Sequence, residues 1–165
     1  MPTSELVMYE EEFTKIQGIL ERLRKEANAK FVFLVDKAGQ QIASNGDLRD
    51  IDTTSLASLT AGNVAATDGL AKLIGEKEFS VLFHEGEKDN LHISIVAQRV
   101  ILVVIFDERS SLGLVRLRVK KAHNDLSDVF KAVLEKADQR AGGKGATQSP
   151  FAEITDEDID SLFSE

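Results

Sequence analysis

Val100-Ile-Leu-Val-Val-Ile-Phe106 is apolar at all seven positions and dominated by β-branched and aromatic residues. A strand with one face in water alternates polar and apolar side chains; this run has no polar face. It therefore predicts a central strand covered above and below. A second run of the same kind is Phe31-Val-Phe-Leu-Val35, and two such strands are best placed as neighbours in the middle of one sheet. Working outward, Asp36-Lys37-Ala38-Gly39 supplies turn chemistry, and Gln41 to Asn45 reads as a more polar strand at a sheet edge. Upstream of Val100, Leu91 to Ala97 places Leu91, Ile93 and Ile95 on one face, and Phe79 to Glu85 places Phe79, Val81 and Phe83 on one face. The connections Gly86 to Asn90 and Gln98-Arg99 are too short for a parallel crossover, so these three strands form an antiparallel meander.

Three helices complete the domain. Tyr9 to Ala27 is amphipathic through Tyr9, Phe13, Ile16, Leu20 and Leu23, with Glu10, Glu11 and Glu12 at the positive end of the helix dipole. Asp52 or Thr53 caps a second helix that runs to about Ile74, with Gly75 beyond its end. A third helix, Leu112 to Gln139, carries a stripe of Val115, Val119, Leu126, Phe130 and Val133. The fold class is α+β, an α/β sandwich. A five-stranded antiparallel sheet of order 2-1-5-4-3 has the second helix on one face and the first and third on the other, which leaves the third strand at an exposed edge. Residues 1–140 form this domain. Residues 141–150 (AGGKGATQSP) are Gly/Ser-rich and read as a flexible linker, and residues 151–165 as an acidic amphipathic tail.

Composition narrows the function. The 165 residues are 42% hydrophobic and 29% charged, with 20 Lys+Arg against 28 Asp+Glu and a net charge of −8. That balance argues against nonspecific nucleic-acid binding, which needs clustered positive charge. With no cysteine there is no disulfide, thiolate metal site or cysteine nucleophile. No signal peptide and no run of the ~20 apolar residues that span a bilayer are present, so no membrane insertion is expected and the chain reads as cytoplasmic. No phosphate-binding or dinucleotide-binding glycine pattern follows a strand. His84, His92 and His123 are too scattered for a compact metal set; His84 and His92 flank one hairpin and read as ordinary strand residues. Asp36, Asp52 and Asp107 fall at element ends, where capping and turn roles account for them. Arg49, Arg99 and Arg109 read as solvated loop residues, and Arg116, Arg118, Lys120 and Lys121 as a basic cluster engaged in local salt bridges. No nucleophile, base and orienting group come together, so no catalytic residue, cofactor or metal is expected.

Two features ask for a partner. On a helical projection of the second helix, Leu56, Leu59, Leu70, Leu73 and Ile74 converge with Thr60, Asn63 and Thr67 on the side expected to face the sheet. Ser58, Ala61, Gly62, Ala65 and Gly69 occupy the opposite side, and Asp68 is the only charge from Thr53 to Ala71. A water-facing helix normally carries Lys and Glu outward, and each mid-helix glycine costs about 1 kcal/mol relative to alanine. A small, uncharged outer side makes sense under another backbone; a helix roofed by the chain's own loops is the plainer alternative. In the tail, Phe151, Ile154, Ile159, Leu162 and Phe163 exceed what a solvating segment needs, and suggest a short helix folding onto a partner.

The element order and small-residue second helix resemble the Roadblock/dynein light chain family over roughly Glu10 to Asp138. Four stretches are similar to its bacterial members: Leu6 to Ile16, Ile51 to Ala66 with Gly69 to Glu76, Val103 to Ala122, and the ending SPFAEITDEDIDSLFSE. The resemblance implies a homodimer in which third strands and second helices of two copies meet. It implies a GTPase-activating regulator of a Ras-like small GTPase of the MglA type, bound in its GTP form, in cell polarity and gliding motility. Activation would reposition the GTPase's own switch regions, with no arginine supplied in trans. Ser58, Ala61, Gly62, Ala65, Gly69 and Lys72 would lie at the GTPase or dimer contact, and the five apolar tail residues at a separate one. Concentration at a cell pole is also implied. Exchange promotion through the tail and a non-catalytic Roadblock scaffold are the alternative readings.

Overall fold

A computed structural model of the protein describes residues 10–143. They comprise α1 (Glu10–Glu26), β1 (Phe31–Asp36), β2 (Gln41–Gly46), α2 (Thr53–Leu73), β3 (Val81–Glu85), β4 (Asn90–Val96), β5 (Val100–Phe106) and α3 (Leu112–Gly143). The strands form one sheet of order β2-β1-β5-β4-β3, antiparallel throughout. The expected order and pairing are therefore those observed. By compactness the chain divides into Tyr9–Phe130 and a second unit of 1–8 with 131–165. Within the second unit only Lys131–Gly143, the continuation of α3, falls among the described residues. The site lies in the first unit.

All seven residues of β5 are buried, as are Phe31 to Val35 of β1. β1 and β5 pair along their whole length, from Phe31 opposite Ile105 to Asp36 opposite Val100. Alternation divides their side chains between two cores. Phe31, Phe33, Val35, Ile93, Ile95, Ile101, Val103 and Ile105 pack with Ala57 and Val64 of α2. On the other face, α1 lies against β1 and β2, and α3 runs beside α1. Asp125 faces Arg22 at 3.9 Å, Glu26 faces Arg118 at 3.7 Å, and the Ser110 hydroxyl donates to the Ala27 carbonyl. Ile16, Leu20 and Leu23 of α1 and Val115, Val119, Leu126 and Phe130 of α3 are buried, whereas Phe13 is partly exposed.

Turn chemistry closes the hairpins as expected. Asp36 Oδ1 accepts from the Ala38 and Gln40 amides, each at 2.9 Å, and Gly39 takes φ +94°, a conformation only glycine reaches cheaply. In the β4–β5 turn the left-handed positions are filled by Ala97 (φ 53°) and Gln98 (φ 59°) instead. Boundaries differ from expectation by a residue or two, apart from two corrections. β3 starts at Val81 rather than Phe79. α3 is helical as far as Gly143, past the expected Gln139 and through the first three residues of the expected linker. The rest of that linker and the tail lie outside the described residues.

Candidate functional site

α2 begins where Asp52 accepts from the Ser55 amide (3.1 Å) and hydroxyl (2.7 Å). These hydrogen bonds hold its carboxyl below the usual aspartate range. The helix ends before Gly75, at φ +84°. Between these caps, Ala57, Thr60, Val64 and Ala71 are the buried residues, a line of small side chains that brings the helix axis close to the sheet. This corrects the expected orientation. Leu59, Leu70, Leu73 and Ile74 do not face the sheet; they are 73%, 55%, 84% and 63% exposed, and only Leu56 among the expected apolar residues packs against the core. The projection fails because both sides of α2 are apolar. With Asp68 and Lys72 the only charges on the helix, little marks the outside, and the projection turns the largest residues inward, whereas close approach to the sheet selects the smallest.

Two neighbours orient the outer surface. Asn63 Nδ2 lies 3.5 Å from His84 Nε2 on β3, so the ridge Leu59, Asn63, Ala66, Leu70 follows the β3 side of the helix. On the other side the β1–β2 turn approaches: a Cβ at Gly39 would stand 3.5 Å from Ser58 Cα and 3.7 Å from Ala61 Cβ. Ser58, Gly62, Ala65, Gly69 and Lys72 are exposed on that flank, and Ala61 is half-buried. Nothing lies within 4 Å of a Cβ added at Gly62 or Gly69. α2 thus presents a leucine strip beside β3 and a small-residue strip beside the β1–β2 turn.

β3 borders this surface, with Leu82 and His84 on the α2 side and Val81 and Phe83 on the opposite face of the sheet. It pairs with β4 from Val81 opposite Ser94 to Glu85 opposite Asn90, and its outer edge meets no strand among the described residues. Val81 is 47% exposed; Phe83 is 36% exposed and stacks on Phe106 with ring centroids 6.2 Å apart. His84 and His92 point to opposite faces of the sheet: His84 lies opposite Leu91, and His92 opposite Phe83. They do not form a pair.

The loop arginines are exposed, and two of them also pair with a neighbouring aspartate. Arg49 grips Asp47 through two hydrogen bonds, of 2.9 and 2.8 Å, and Arg109 grips Asp107 through two of 3.1 Å. In each case the arginine sits two residues after its own carboxylate. The Arg49 guanidinium lowers the Asp47 pKa to about 2, and Arg109 lowers that of Asp107. Arg99 is exposed in the β4–β5 turn. Of the basic cluster, Arg118 pairs with Glu26 at 3.7 Å; Arg116 and Lys120 make no ion pair among the described residues. The tail residues Phe151, Ile154, Ile159, Leu162 and Phe163 lie outside the described residues. Among the described residues no group of three His, Asp or Glu side chains could hold a metal, and no helix is long and apolar enough to cross a membrane. The arrangement is an exposed helix and sheet edge that carry large apolar and small side chains.

Residues 15–106 match the Roadblock/LC7 domain. Among solved structures the chain is similar to Myxococcus xanthus MglB, with 67% identity over 78% of this chain and 96% of that one and a TM-score of 0.74. It is similar to the gliding protein MglB from Thermus thermophilus at 34% identity, over 78% and 96% of the two chains, with a TM-score of 0.72. A third similar structure is described as MglB with a tetrameric arrangement, at 33% identity over 81% of this chain and 99% of that one, with a TM-score of 0.75. A search of curated proteins found no match.

Proposed function

The chain belongs to the Roadblock/LC7 family, and on that premise we propose that it is a homodimeric, non-catalytic activator of GTP hydrolysis by a Ras-like GTPase of the MglA type, in a system that controls cell polarity and gliding. Its relatives at 33–67% identity are MglB proteins, which supports a regulator in that system. The observation that carries the reading is the outer surface of α2, where Lys72 is the only charge among its exposed residues, with leucines exposed by up to 84%. Covering one such side chain contributes about 1.5–3 kcal/mol.

The two strips suit two partners. A free antiparallel edge and a leucine ridge beside it are self-complementary under a twofold axis, so a second copy meets β3 and the Leu59–Leu70 ridge. The small-residue strip, with Ser58, Ala61, Gly62, Ala65, Gly69 and Lys72, then remains open on each copy for the GTPase. Its flatness lets a backbone approach closely. A surface that fits the GTP-bound form better than the GDP-bound form shifts the GTPase toward its hydrolysis-competent arrangement, through that difference in affinity alone. Arg49 and Arg109 are held by their own aspartates, which supports a mechanism without an arginine in trans.

The test is GTP hydrolysis by the cognate GTPase with and without this protein. Stimulation is expected, lost in Ala65→Arg and Gly69→Arg with folding intact, and mostly retained in Arg49→Ala, Arg99→Ala and Arg109→Ala. Full stimulation by Gly69→Arg moves the platform elsewhere. A loss of about 10³-fold in one arginine variant restores the trans-arginine mechanism. Deleting residues 141–165 distinguishes the alternatives: loss of nucleotide release alone assigns exchange to the tail. Absence of any effect of the parent on turnover leaves a scaffold.

A further inference from the structure

The ridge along the β3 side of α2 is apolar at Leu59, Ala66 and Leu70 and polar at one place, Asn63. The two leucines are 73% and 55% exposed. Asn63 is half-buried, with Nδ2 at 3.5 Å from His84 Nε2 on β3. An amide nitrogen cannot accept, so in this contact Asn63 donates and the imidazole accepts. The Asn63 carbonyl oxygen is less well served. The Thr67 hydroxyl stands 3.5 Å from it and gives its single proton to the Asn63 backbone carbonyl at 2.8 Å. The second amide hydrogen and most of the acceptor capacity of Oδ1 are therefore left to water. Covering the ridge changes that, because an amide taken out of water without a partner is costly. Whatever covers Asn63 must present a donor and an acceptor at that one point. A leucine there would complete the ridge and be buried more favourably. The asparagine lowers affinity and restricts which arrangement is allowed.

On the reading that a second copy covers β3 and the Leu59–Leu70 ridge, we infer that Asn63, positioned by His84, sets the register of the two copies by pairing with the same residue of the partner. A twofold axis brings identical groups together, and two asparagine amides satisfy each other, each giving one hydrogen bond and accepting one. Sliding one α2 along the other by a turn sets each amide against Leu59 or Ala66 instead, and both bonds are lost. Apolar contact is non-directional, so three apolar residues alone accept several offsets. A single polar residue in an apolar seam is a device that fixes register at a cost in stability. The strand adds to the need. β3 offers only five residues for pairing, and a slip of two would keep every side chain on its face. His84 lies on β3 and touches Asn63, so one choice of register on the helix becomes one choice on the strand.

The experiment uses the full-length chain and sedimentation equilibrium. Asn63→Asp and Asn63→Lys, each alone, set like charges opposite one another and are expected to weaken self-association at least about 10-fold. Mixed in equal amounts, they should associate within a few-fold of the parent, which only direct opposition of the two positions produces. The arrangement itself is read by electron–electron distance measurement. The chain has no cysteine, so Lys72→Cys carries one nitroxide per copy. The parent should give one narrow distance. Asn63→Leu should associate as tightly as the parent or more tightly, yet give a broad or multiple distribution, and Asn63→Ala should also lose the single distance. His84→Ala should broaden it in part, where a merely structural histidine would change melting alone. Thermal unfolding checks that each variant folds. No recovery on mixing, a single narrow distance in Asn63→Leu, or loss of its association overturns the inference and leaves the dimer standing. A parent that stays monomeric, or whose association ignores Leu59→Asp combined with Leu70→Asp, defeats the reading beneath it and the inference with it.

Discussion

β5 is apolar throughout and α2 carries five leucines and valines with few charges, yet β5 has lost all contact with water while α2 keeps its largest side chains in it. The difference lies in what each can cover. A central strand turns alternate residues to two faces, and this chain has helices for both. α2 is itself a cover, and among the described residues no element lies against its far side. Apolar composition therefore carries opposite meanings at the two places. In β5 it records what the fold has already buried, and in α2 what a second molecule is expected to bury.

The sharpest break in that comparison is a truncation on each side. Phe33→Ala, in the core beneath α2 and fully buried, is expected to lower the unfolding free energy by about 3–5 kcal/mol in urea titrations. Leu73→Ala, where the parent side chain is 84% exposed, should stay within about 0.5 kcal/mol in dilute solution. A large loss at Leu73 would mean that α2 is covered even in the isolated chain. The next effect concerns association. Leu59→Asp combined with Leu70→Asp should weaken the dimer by about 2 kcal/mol or more in sedimentation equilibrium, the scale of an interface hot spot. It should also abolish any dependence of the melting temperature on protein concentration. Unchanged self-association would detach the leucine strip from the dimer.

How much of this is legible in the sequence follows from the same contrast. Val100–Phe106 and Phe31–Val35 allow one reading, because a run without a polar face has only the middle of a sheet to occupy. The meander follows from connections too short to cross over, and the caps from Asp36, Asp52 and Asp107. The facing of α2 is not legible: Leu59 and Ala57 are equally apolar, and only the distance between helix and sheet decides which goes inward. The buried polar pair on β4 does leave a trace: His92 and Ser94 occupy alternate positions of a strand that its order in the sheet requires to be covered, and both are buried. Polar residues on a covered strand face are the signal that marks them.

β4 provides a titration of that signal. Burial, with the Arg116 charge, pushes the His92 pKa below 6.5. As pH falls through 6.5 the unfolded chain takes up a proton that the folded chain refuses, so the unfolded state binds more protons and stability declines on acidification. The decline spans the interval from 6.5 down to the folded-state value, with a slope of at most about 1.4 kcal/mol per pH unit. His92→Gln should flatten the curve in that interval. A curve that His92→Gln leaves unchanged would show that the imidazole under α3 is not set apart from water.

The smallest effect tests how far the buried strands dictate their surroundings. Between β4 and β5 the register fixes Val96 opposite Val100, and both valines are fully buried. The chain must reverse over Ala97, Gln98 and Arg99, and the Arg99 amide donates to the Val96 carbonyl at 3.1 Å. Two consecutive left-handed residues complete that turn, a geometry that selects Asn-Gly and penalises residues with an ordinary Cβ. The cost is tolerated because a shift by one residue would turn every side chain of β5 to the wrong face. Replacing Ala97 with Asn and Gln98 with Gly should relieve it. Most of the relief comes from Gln98→Gly, which removes about 1–2 kcal/mol of left-handed strain, and the added freedom of the unfolded glycine takes back about 0.4–1 kcal/mol. A net gain of roughly 0.5–1 kcal/mol is expected in thermal or urea unfolding, with the Val96–Val100 pairing preserved in amide exchange. A loss of stability would show that the turn is set by its own residues, and that the core's authority stops at the last buried pair.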